Sequence, residues 1–350
     1  MANNENIHNA KVAKNDEFYT MLTDVEKEMR HYRQHFNGAT VLCNCDDPFE
    51  SAFFKYFVLN FNRLHLKKLI STCYAGSPVA GAQLSLFDLT GDESTRRKPY
   101  KAVVTSVHDT TGDGGIDMDD IKALFKSGEN ELTELEGDGD FRSPECLALM
   151  DEADIVVTNP PFSLFREYVK VLMDHKKKFI IIGNKNAITY KEIFPLLKNN
   201  EMWLGDNNPA PQEFLTPQGV TKSVNGLTRW YTNLDIKKRH EDLILVKRYT
   251  PEAYPHYDNY DAIEVSKVAD IPCDYAGVMG TPVTVLDKYS KEQFQIVGMA
   301  AGNTRATGFY FDVPYKPHPE DRGGCGVVNG KRVYARILIR NKHPEAPKEV

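Results

Sequence analysis

Short apolar segments alternate with helical segments over the first 205 residues, and this alternation limits the possible folds. Buried strands are predicted at residues 39–43, 68–73, 101–107, 154–158 and 178–183. Strands that alternate with helices along a chain pack as a parallel sheet with right-handed crossovers. The sequence therefore predicts an α/β fold with a mostly parallel, doubly wound sheet.

Residue spacing also predicts where several elements begin and how the chain is divided. Thr23 and Glu26 have the spacing of a capping box, which predicts the start of a helix near Thr23. Segments 230–234 and 242–246 are predicted as late strands that close the sheet. From residue 247 onward, prolines and aromatic residues are frequent and helical patterning is scarce, which indicates a smaller, mostly β domain. The predicted domains are residues 1–246 and residues 247–350.

Composition excludes several classes of protein. Of the 350 residues, 41% are hydrophobic and 26% are charged, which excludes a disordered or a fibrous chain. Aliphatic runs such as Ile180–Ile182 are far shorter than the ~20 apolar residues of a membrane span. The polar N-terminus has no apolar signal-peptide stretch, so a soluble, cytoplasmic protein is expected. The net charge of −6 still allows a locally basic surface.

Neither the cysteines nor the acidic segment 109–120 indicates a metal site. The six cysteines include no C-x-x-C pair, so neither a zinc site nor a disulfide framework is expected. Segment 109–120 imitates a calcium-binding loop, but Thr111 and Asp120 stand where better ligands are normally found. We favour an acidic, solvated loop that caps the next helix, with calcium binding as the alternative.

The segment that carries most chemical information is Asn159-Pro-Pro-Phe162, which directly follows the strand predicted at 154–158. Ligands of a doubly wound sheet bind at the carboxyl ends of the strands, so this tetrapeptide is expected to contact the substrate. Two consecutive prolines restrict the backbone and leave rigidly placed carbonyl acceptors. The Asn159 side chain adds an acceptor and Phe162 an aromatic face, a combination that suits a planar amine. The alternative is an ordinary turn.

The Asn-Pro-Pro-Phe motif resembles the amine-methylating motif of S-adenosylmethionine-dependent methyltransferases. More of the chain is similar to one branch of these enzymes, the EcoRI-type adenine-specific DNA methyltransferases. The matching segments are Asn15–Thr20, Val41–Pro48, Glu136–Ser143, Asp154–Phe165, Gly226–Leu234, Tyr257–Ala262, Gly277–Gly280 and Leu286–Tyr289. The resemblance implies a Rossmann-like class I methyltransferase sheet followed by a mostly β domain that recognises the DNA target.

The resemblance also implies a reaction and its residues. S-adenosylmethionine would donate a methyl group to N6 of an adenine flipped out of duplex DNA, leaving S-adenosylhomocysteine. The amino group would donate to Asn159 Oδ1 and to the Pro160 carbonyl, while the Phe162 ring stacks on the base. The implied catalytic residues are Asn159, Pro160, Pro161 and Phe162. The implied cofactor-binding residues are Phe18, Tyr19, Thr20, Asn44, Asp46, Asp47, Pro48, Cys73, Tyr74, Asp140, Phe141 and Asn159.

Within the implied cofactor site, Asp140-Phe141 matches the pair at the adenine end, with the carboxylate accepting from the amino group. Helix capping is the alternative role for this aspartate. Asp46-Asp47 lies in the first strand-to-helix turn, where the methionine end is expected. Two features depart from the usual pattern: this turn has no glycine-rich sequence, and Cys73-Tyr74 stands where a carboxylate normally binds the ribose.

Recognition of the DNA sequence is assigned to the C-terminal part of the chain by the order of the motifs. Arg and Asn side chains can form bidentate hydrogen bonds with guanine and adenine, whereas lysines more often contact phosphates. The candidate DNA-binding residues are Lys222, Asn225, Arg229, Asn303, Arg305, Lys331 and Arg332, together with the run 237–239.

Residues 75–98 are rich in glycine, proline, serine and charge, and they are predicted to form a loop insertion. The loop contains Gln83, Leu84, Leu86 and Phe87 in an arrangement that resembles the bacterial sliding-clamp-binding pentapeptide. A short extended peptide with apolar anchors suits such docking. The alternative is a strand packed on the domain.

The most favoured interpretation is a monomeric, site-specific DNA adenine N6-methyltransferase that uses S-adenosylmethionine and no metal, and that is associated with the nucleoid when bound to DNA. One alternative is methylation of another planar amine, in an RNA base or a protein glutamine. The other is a clamp-tethered DNA-binding protein without catalysis. The flanking family segments favour DNA, and the intact Asn-Pro-Pro-Phe motif argues against lost catalysis.

Overall fold

The computed structural model describes two compact units within one chain. The described residues are 19–45, 51–73, 99–110, 112, 114–117, 120–121, 124–125, 128–208, 213–215, 221–223 and 226–346. The first unit comprises residues 1–187 and 205–234, and the second comprises residues 188–204 and 235–350. Residues 188–204 and 235–246, which the sequence assigns to the first domain, therefore belong to the second unit.

The helices and strands are short and numerous. The helices are α1 (Leu22–Met29), α2 (Arg33–Phe36), α3 (Ala52–Leu59), α4 (Pro144–Glu152), α5 (Phe165–Asp174), α6 (Phe194–Lys198) and α7 (Thr304–Thr307). The strands are β1 (Tyr19–Thr20), β2 (Thr40–Cys43), β3 (Lys68–Thr72), β4 (Tyr100–Val104), β5 (Glu131–Glu134), β6 (Ile155–Thr158), β7 (Lys178–Asn184), β8 (Trp203–Leu204), β9 (Glu213–Leu215), β10 (Thr221–Ser223), β11 (Thr228–Thr232), β12 (Ile263–Glu264), β13 (Val278–Pro282), β14 (Phe294–Ala300), β15 (Val327–Val328), β16 (Lys331–Arg332) and β17 (Arg336–Asn341). No helix in the described ranges combines the length and apolar character needed to cross a bilayer.

The main sheet of the first unit is mixed rather than mostly parallel. Its centre, in the order β3-β2-β6-β7, is parallel. On one flank β4 pairs antiparallel with β3 and β5 with β4, and on the other β11 pairs antiparallel with β7. The prediction was therefore correct for the central strands and wrong for the flanks. The strand order changes direction between β2 and β6, which brings the carboxyl ends of these two strands side by side.

The central strands are buried along their whole length. All four residues of β2 and of β6 are buried, as are Phe179–Gly183 in β7. Such continuous burial is typical of strands that are covered on both faces. A separate small sheet joins β1 to β9 and β9 to β10, both antiparallel.

The first helix starts near Thr23 as predicted, but its predicted cap was wrong. The first helix begins at Leu22 with Met21 at the N-cap and no side-chain cap, so the capping box at Thr23 is not formed. Instead, the Met21 carbonyl accepts hydrogen bonds from the N–H groups of Asp24 and Val25, at 3.0 and 3.2 Å. The chain therefore enters the helix one residue earlier, directly from β1.

Residues 242–246 are not a strand. Gln293 Oε1 accepts from the Leu243 N–H and Gln293 Nε2 donates to the Leu243 carbonyl, each at 2.8 Å. This side chain binds both main-chain groups that a neighbouring strand would use. Ile244 and Val246 are 90% and 72% exposed, so the apolar run of this segment does not correspond to a buried strand.

The second unit contains its own sheet and core. The sheet has the order β12-β13-β17-β14, in which β12 and β13 are parallel and the other pairs are antiparallel. A bulge lies between Ile296 and Gly298 of β14. Glu264 and Arg336 form a buried ion pair at 2.6 Å. The strand-rich character predicted after residue 247 is therefore observed, while a role in target recognition stays a prediction.

Candidate active site

The Asn-Pro-Pro-Phe segment begins at the carboxyl end of β6, as the sequence predicts. Asn159 follows the strand directly, Pro160 is buried, and Pro161 and Phe162 are half-buried. Phe162 begins a 3₁₀ turn, Phe162–Leu164, that leads into α5. The tetrapeptide thus connects the middle of the sheet to a helix, and its phenylalanine is partly exposed.

The two proline carbonyls of this segment differ in their partners. The carbonyl of Pro161 accepts a hydrogen bond from the Leu164 N–H at 3.0 Å, which closes the 3₁₀ turn. None of the described residues donates a hydrogen bond to the carbonyl of Pro160. Among the described residues, the Pro160 oxygen therefore keeps its capacity to accept a hydrogen bond.

Asn44, at the carboxyl end of β2, lies beside this segment. Its carbonyl accepts a hydrogen bond from Thr158 Oγ1, and its Oδ1 accepts from the Tyr168 hydroxyl. The residue is 2% exposed, and its Nδ2 finds no acceptor within the described ranges. A hydroxyl both donates and accepts, so either orientation of the amide leaves one of its ends without a partner. An unsatisfied buried amide costs about 1–3 kcal/mol, which a polar ligand group would recover.

The turn after β2 has an unusual backbone conformation. Cys45 adopts a left-handed conformation with a φ of 67°. A glycine normally occupies such a position, because side chains destabilise it. In this turn, which lacks a glycine-rich sequence, Cys45 thus takes the conformation that a glycine would favour.

The segment 138–141 lies close to the same ends of the strands. Gly139 has a φ of +79°, and a Cβ atom at this position would collide with the carbonyl oxygen of Cys73 at the end of β3. Phe141 is buried and packs edge-on against Tyr168, with 4.9 Å between the ring centroids. Tyr168 therefore contacts both Asn44 and Phe141, two residues that the sequence assigns to a cofactor.

Asp140 is an ionised acceptor rather than a helix cap. Its carboxylate accepts from Nε and Nη2 of Arg142 at 2.9 and 2.6 Å and from the Arg142 N–H at 2.8 Å. These hydrogen bonds lower the pKa of Asp140. The cap of α4 is Ser143, whose Oγ accepts from the Cys146 N–H at 3.2 Å. The alternative capping role of Asp140 is thus filled by another residue.

Of the remaining predicted cofactor residues, only some lie within the described ranges. The Cys73 Sγ lies 3.4 Å from the N atom of Tyr100, so this thiol contacts β4. Thr20 is buried, and its Oγ1 has no hydrogen-bond partner among the described residues. Tyr19 is described only as part of β1. Residues that lie outside the described ranges are Phe18, Asp46, Asp47, Pro48 and Tyr74.

Glu28 is a buried residue of this unit that the sequence did not single out. Its carboxylate accepts from the Tyr32 hydroxyl at 2.7 Å, from the N–H groups of Asp206 and Asn207 at 2.8 and 2.7 Å, and from Asn207 Nδ2 at 3.0 Å. It thereby connects α1, which follows β1, to the segment that leads toward β9. A signal was present: Glu28 lies between Val25 and Tyr32 on the apolar face of the predicted helix.

Several candidate DNA-binding cations are occupied within the protein. Arg229 donates to the carbonyls of Gly226 and Thr228, at 3.3 and 2.9 Å. Arg305 donates to Asp321 Oδ1 at 2.6 Å and to the Tyr315 hydroxyl at 3.2 Å.

Arg239 was wrongly predicted as a DNA contact. It is buried, and its guanidinium lies 3.4 Å from the centroid of the Trp203 ring. This position gives the Arg239 cation a structural role in the second unit.

Other candidate cations and amides face solvent. Asn303, Lys331 and Arg332 are exposed. Lys222 is described only as part of β10, and Asn225 lies outside the described ranges. DNA contacts by these residues stay predictions.

The Asp321 carboxylate is expected to make folding depend on pH. Burial alone would raise its pKa, but hydrogen bonds from the His318 N–H, the Tyr315 hydroxyl, the Gly323 N–H and Arg305 hold the pKa well below its usual range. A carboxyl with a lower pKa in the folded state stabilises the fold above its unfolded pKa of about 3.9, and this stabilisation is lost as the pH falls.

We therefore expect Asp321→Asn to lower the free energy of unfolding by about 1–3 kcal/mol at neutral pH. The difference from wild type should shrink as the pH is lowered below about 4. Urea denaturation at neutral pH and below pH ~4 measures this difference in the free energy of unfolding. An equal loss at neutral and acidic pH would show that the carboxylate charge is not what stabilises this network.

The acidic segment 109–120 binds its own main chain. The Asp109 carboxylate accepts from the N–H groups of Gly112 and Gly114, at 2.6 and 2.7 Å. Asp120 Oδ1 accepts from the N–H and hydroxyl of Thr110, each at 2.6 Å. Within the described ranges, no group of three or more His, Cys, Asp or Glu residues is arranged to hold a metal ion.

Known proteins match the chain over nearly its whole length. A family model described as adenine-specific methyltransferase EcoRI matches residues 6–342. The Type II methyltransferase M.EcoRI of Escherichia coli is 40% identical over 358 residues, which cover 97% of this chain and 98% of the relative. M.MpnI of Mycoplasma pneumoniae is 33% identical, covering 95% of this chain and 97% of the relative. M.MgeORF184P of Mycoplasma genitalium is 32% identical, covering 95% and 98%. No solved structure matches the chain significantly. The chain therefore belongs to the EcoRI family of adenine-specific methyltransferases.

Proposed function

We propose that the protein is a site-specific DNA methyltransferase that transfers a methyl group from S-adenosylmethionine to N6 of an adenine flipped out of duplex DNA. One observation carries the proposal: the Asn-Pro-Pro-Phe segment stands at the carboxyl end of β6, directly beside Asn44 at the end of β2. In open α/β sheets this is where ligands bind, at the point where the strand order changes direction. The central order β3-β2-β6-β7 likewise supports a Rossmann-like class I methyltransferase arrangement.

The active-site residues act on the substrate amine by positioning and by hydrogen bonding. The lone pair of adenine N6 is delocalised into the ring, which makes the nitrogen a weak nucleophile. Asn159 Oδ1 and the carbonyl of Pro160 accept hydrogen bonds from the two N–H groups of the amine. These hydrogen bonds favour a pyramidal nitrogen and stabilise the positive charge that develops on it. The half-buried Phe162 ring stacks on the base, and the prolines hold both acceptors in place.

The residues present fit a methyl donor with a polar amino-acid end and an adenine end. S-adenosylmethionine, when bound, supplies an electrophilic methyl group. The buried amide of Asn44 and the buried hydroxyl of Thr20 offer hydrogen-bonding capacity that the described residues leave unused. The ionised Asp140 carboxylate can accept from the adenine amino group, and Phe141 can pack on the adenine ring. Of these residues, Asn44 and Phe141 both contact Tyr168, which supports assigning them to one site.

Tyr168 is expected to support cofactor binding through Asn44. We expect Tyr168→Phe to lower the affinity for S-adenosylhomocysteine about tenfold, because the loss of a buried hydrogen bond costs about 1–3 kcal/mol. Titration calorimetry measures the affinity. Tyr231→Phe is a matched control, since its hydroxyl binds the Asn184 carbonyl at 2.8 Å in the same unit. If both variants lost the same affinity, Tyr168 would have only a structural role.

Incubation with tritiated S-adenosylmethionine and separate DNA, RNA and protein substrates tests the proposed function. We expect label in duplex DNA, as N6-methyladenine. Label in RNA alone, or in a glutamine side chain, would contradict it, and absence of any transfer would favour a DNA-binding protein without catalysis. Expression in a methylation-free host, followed by single-molecule sequencing, then identifies the recognised sequence.

The sliding clamp stays a predicted partner, because residues 83–87 lie outside the described ranges. The monomeric state also stays a prediction.

A further inference from the structure

The hairpin of β15 and β16, with the residues that follow it to Tyr334, presents side chains that methyl transfer does not use. We call residues 327–334 the β15–β16 hairpin. Both residues of β16, Lys331 and Arg332, are exposed. Tyr334 is 88% exposed, although burying a tyrosine ring is favourable. Two cations and an aromatic ring thus stand together on the surface of the second unit.

The hairpin is held rigidly rather than as a loose loop. Its turn residues, Asn329 and Gly330, have φ values of 49° and 72°, as in the type I′ turns that connect strands tightly. The Gly330 N–H donates to Asp258 Oδ2 at 2.7 Å, and the Val327 N–H donates to Asn259 Oδ1 at 2.9 Å. Two polar side chains from another segment therefore fix the hairpin at both its turn and its first strand.

The outward direction of the Arg332 and Tyr334 side chains is also determined. Val333 packs against the hydrophobic cluster of the second unit that includes Tyr260 and Leu338. Its N–H donates to the Gly326 carbonyl at 2.9 Å. Successive side chains of an extended segment point to opposite sides, so the inward packing of Val333 turns Arg332 and Tyr334 outward. The hairpin backbone is thus held in place before any partner binds.

The cations of the hairpin carry charge that the protein does not neutralise. Neither Lys331 nor Arg332 forms an ion pair with a carboxylate in the described part of the chain, in contrast to Arg305, which pairs with Asp321, and Arg336, which pairs with Glu264. Phosphate groups of nucleic acid would supply the missing anions.

The neighbouring 3₁₀ turn adds one more cation to this surface. β16 contacts the turn Pro319–Asp321, and the next residue, Arg322, is exposed as well. The turn also carries the exposed Glu320, and the exposed Asp258 lies against the hairpin turn, so the three exposed cations of this surface outnumber its two exposed carboxylates.

We propose that the β15–β16 hairpin is a DNA-contacting surface, on which Lys331 and Arg332 bind backbone phosphates and the Tyr334 ring packs against the bases. The combination of unpaired cations with an exposed aromatic ring suits two parts of duplex DNA, its charged backbone and the base edges that its grooves expose. Tyr334 is a residue that composition and motif order did not indicate. The inference rests on the proposed function, since it takes DNA as the substrate.

Fluorescence anisotropy tests this proposal. The affinity for a labelled, unmethylated duplex that contains the sequence recognised by the enzyme is measured across a range of salt concentrations. Lys331→Ala and Arg332→Ala should each reduce the slope of log affinity against log salt by about 0.9, the effect of one lost phosphate contact. Tyr334→Ala should weaken binding about tenfold without changing this slope, and Tyr334→Phe should restore binding to within about twofold of wild type.

Lys267→Ala is the matched control, because Lys267 is an exposed lysine of the same unit outside the hairpin. It should leave both the affinity and the slope unchanged. Unaltered thermal unfolding and S-adenosylhomocysteine binding in all variants show that the fold is retained. The hairpin proposal is overturned if the hairpin variants keep wild-type affinity and slope, or if the control loses as much as they do. In either case, methylation of DNA by the wild-type protein still upholds the proposed function. Failure of the wild-type protein to bind and methylate DNA overturns both.

Discussion

Asn159→Ala is expected to reduce methyl transfer by about 10²–10³-fold, the usual effect of removing one preorganised polar group from a transition state. The side chain supplies an acceptor at the end of a fully buried strand, where Pro160 and Pro161 prevent the backbone from moving to replace it. The loss should appear in kcat, because the acceptor matters most as positive charge develops on the nitrogen. The affinity for S-adenosylhomocysteine should change little.

Single-turnover transfer of a tritiated methyl group, together with titration of S-adenosylhomocysteine, separates these two effects. Ser163→Ala is a suitable control, since Ser163 is exposed in the same 3₁₀ turn and should tolerate the change. Near-normal turnover of Asn159→Ala would refute the assigned role. If cofactor affinity fell but transfer was normal at saturating S-adenosylmethionine, Asn159 would be assigned to cofactor binding rather than to the substrate amine.

Local patterns were sufficient to predict the centre of the sheet. The strands around Val41, Val156 and Ile181 are continuous apolar runs, and continuous runs are typical of strands covered on both faces. The same reasoning placed Asn159 at the end of β6, because a motif that follows a central strand must lie at the carboxyl edge of the sheet.

Pairing direction and long-range contacts were not accessible in this way. Nothing in the sequence around Tyr100 distinguishes a parallel from an antiparallel neighbour of β3, since direction depends on how the chain returns to the sheet. The apolar run at 243–246 is typical of a strand, but the Gln293 side chain occupies the main-chain groups that a strand would need. Tyr168 and Asn44 are 124 residues apart in sequence, so their hydrogen bond could be found only in the folded chain.

Glu28→Ala is expected to be the most destabilising of the substitutions considered, with a loss of about 3–5 kcal/mol in the free energy of unfolding. The carboxylate is fully buried and accepts four hydrogen bonds, two of them from main-chain N–H groups. Removing it leaves several buried donors without acceptors, and each such donor costs about 1–3 kcal/mol unless water enters. The space is tight, since even a Cβ atom at Gly205 would collide with Glu28 Oε1.

Glu28→Gln should cause a smaller loss of about 1–3 kcal/mol, because one oxygen remains while the amide N–H₂ faces groups that are themselves donors. Glu26→Ala is the matched control: this glutamate lies exposed on the same helix and should change stability by less than about 0.5 kcal/mol. Urea denaturation followed by circular dichroism gives the three values. A loss below about 1 kcal/mol for Glu28→Ala would mean that water replaces the carboxylate without cost. A loss of the expected size would instead show that β1 and α1, with Thr20 at their junction, are held in place by a carboxylate that makes no contact with the reacting groups.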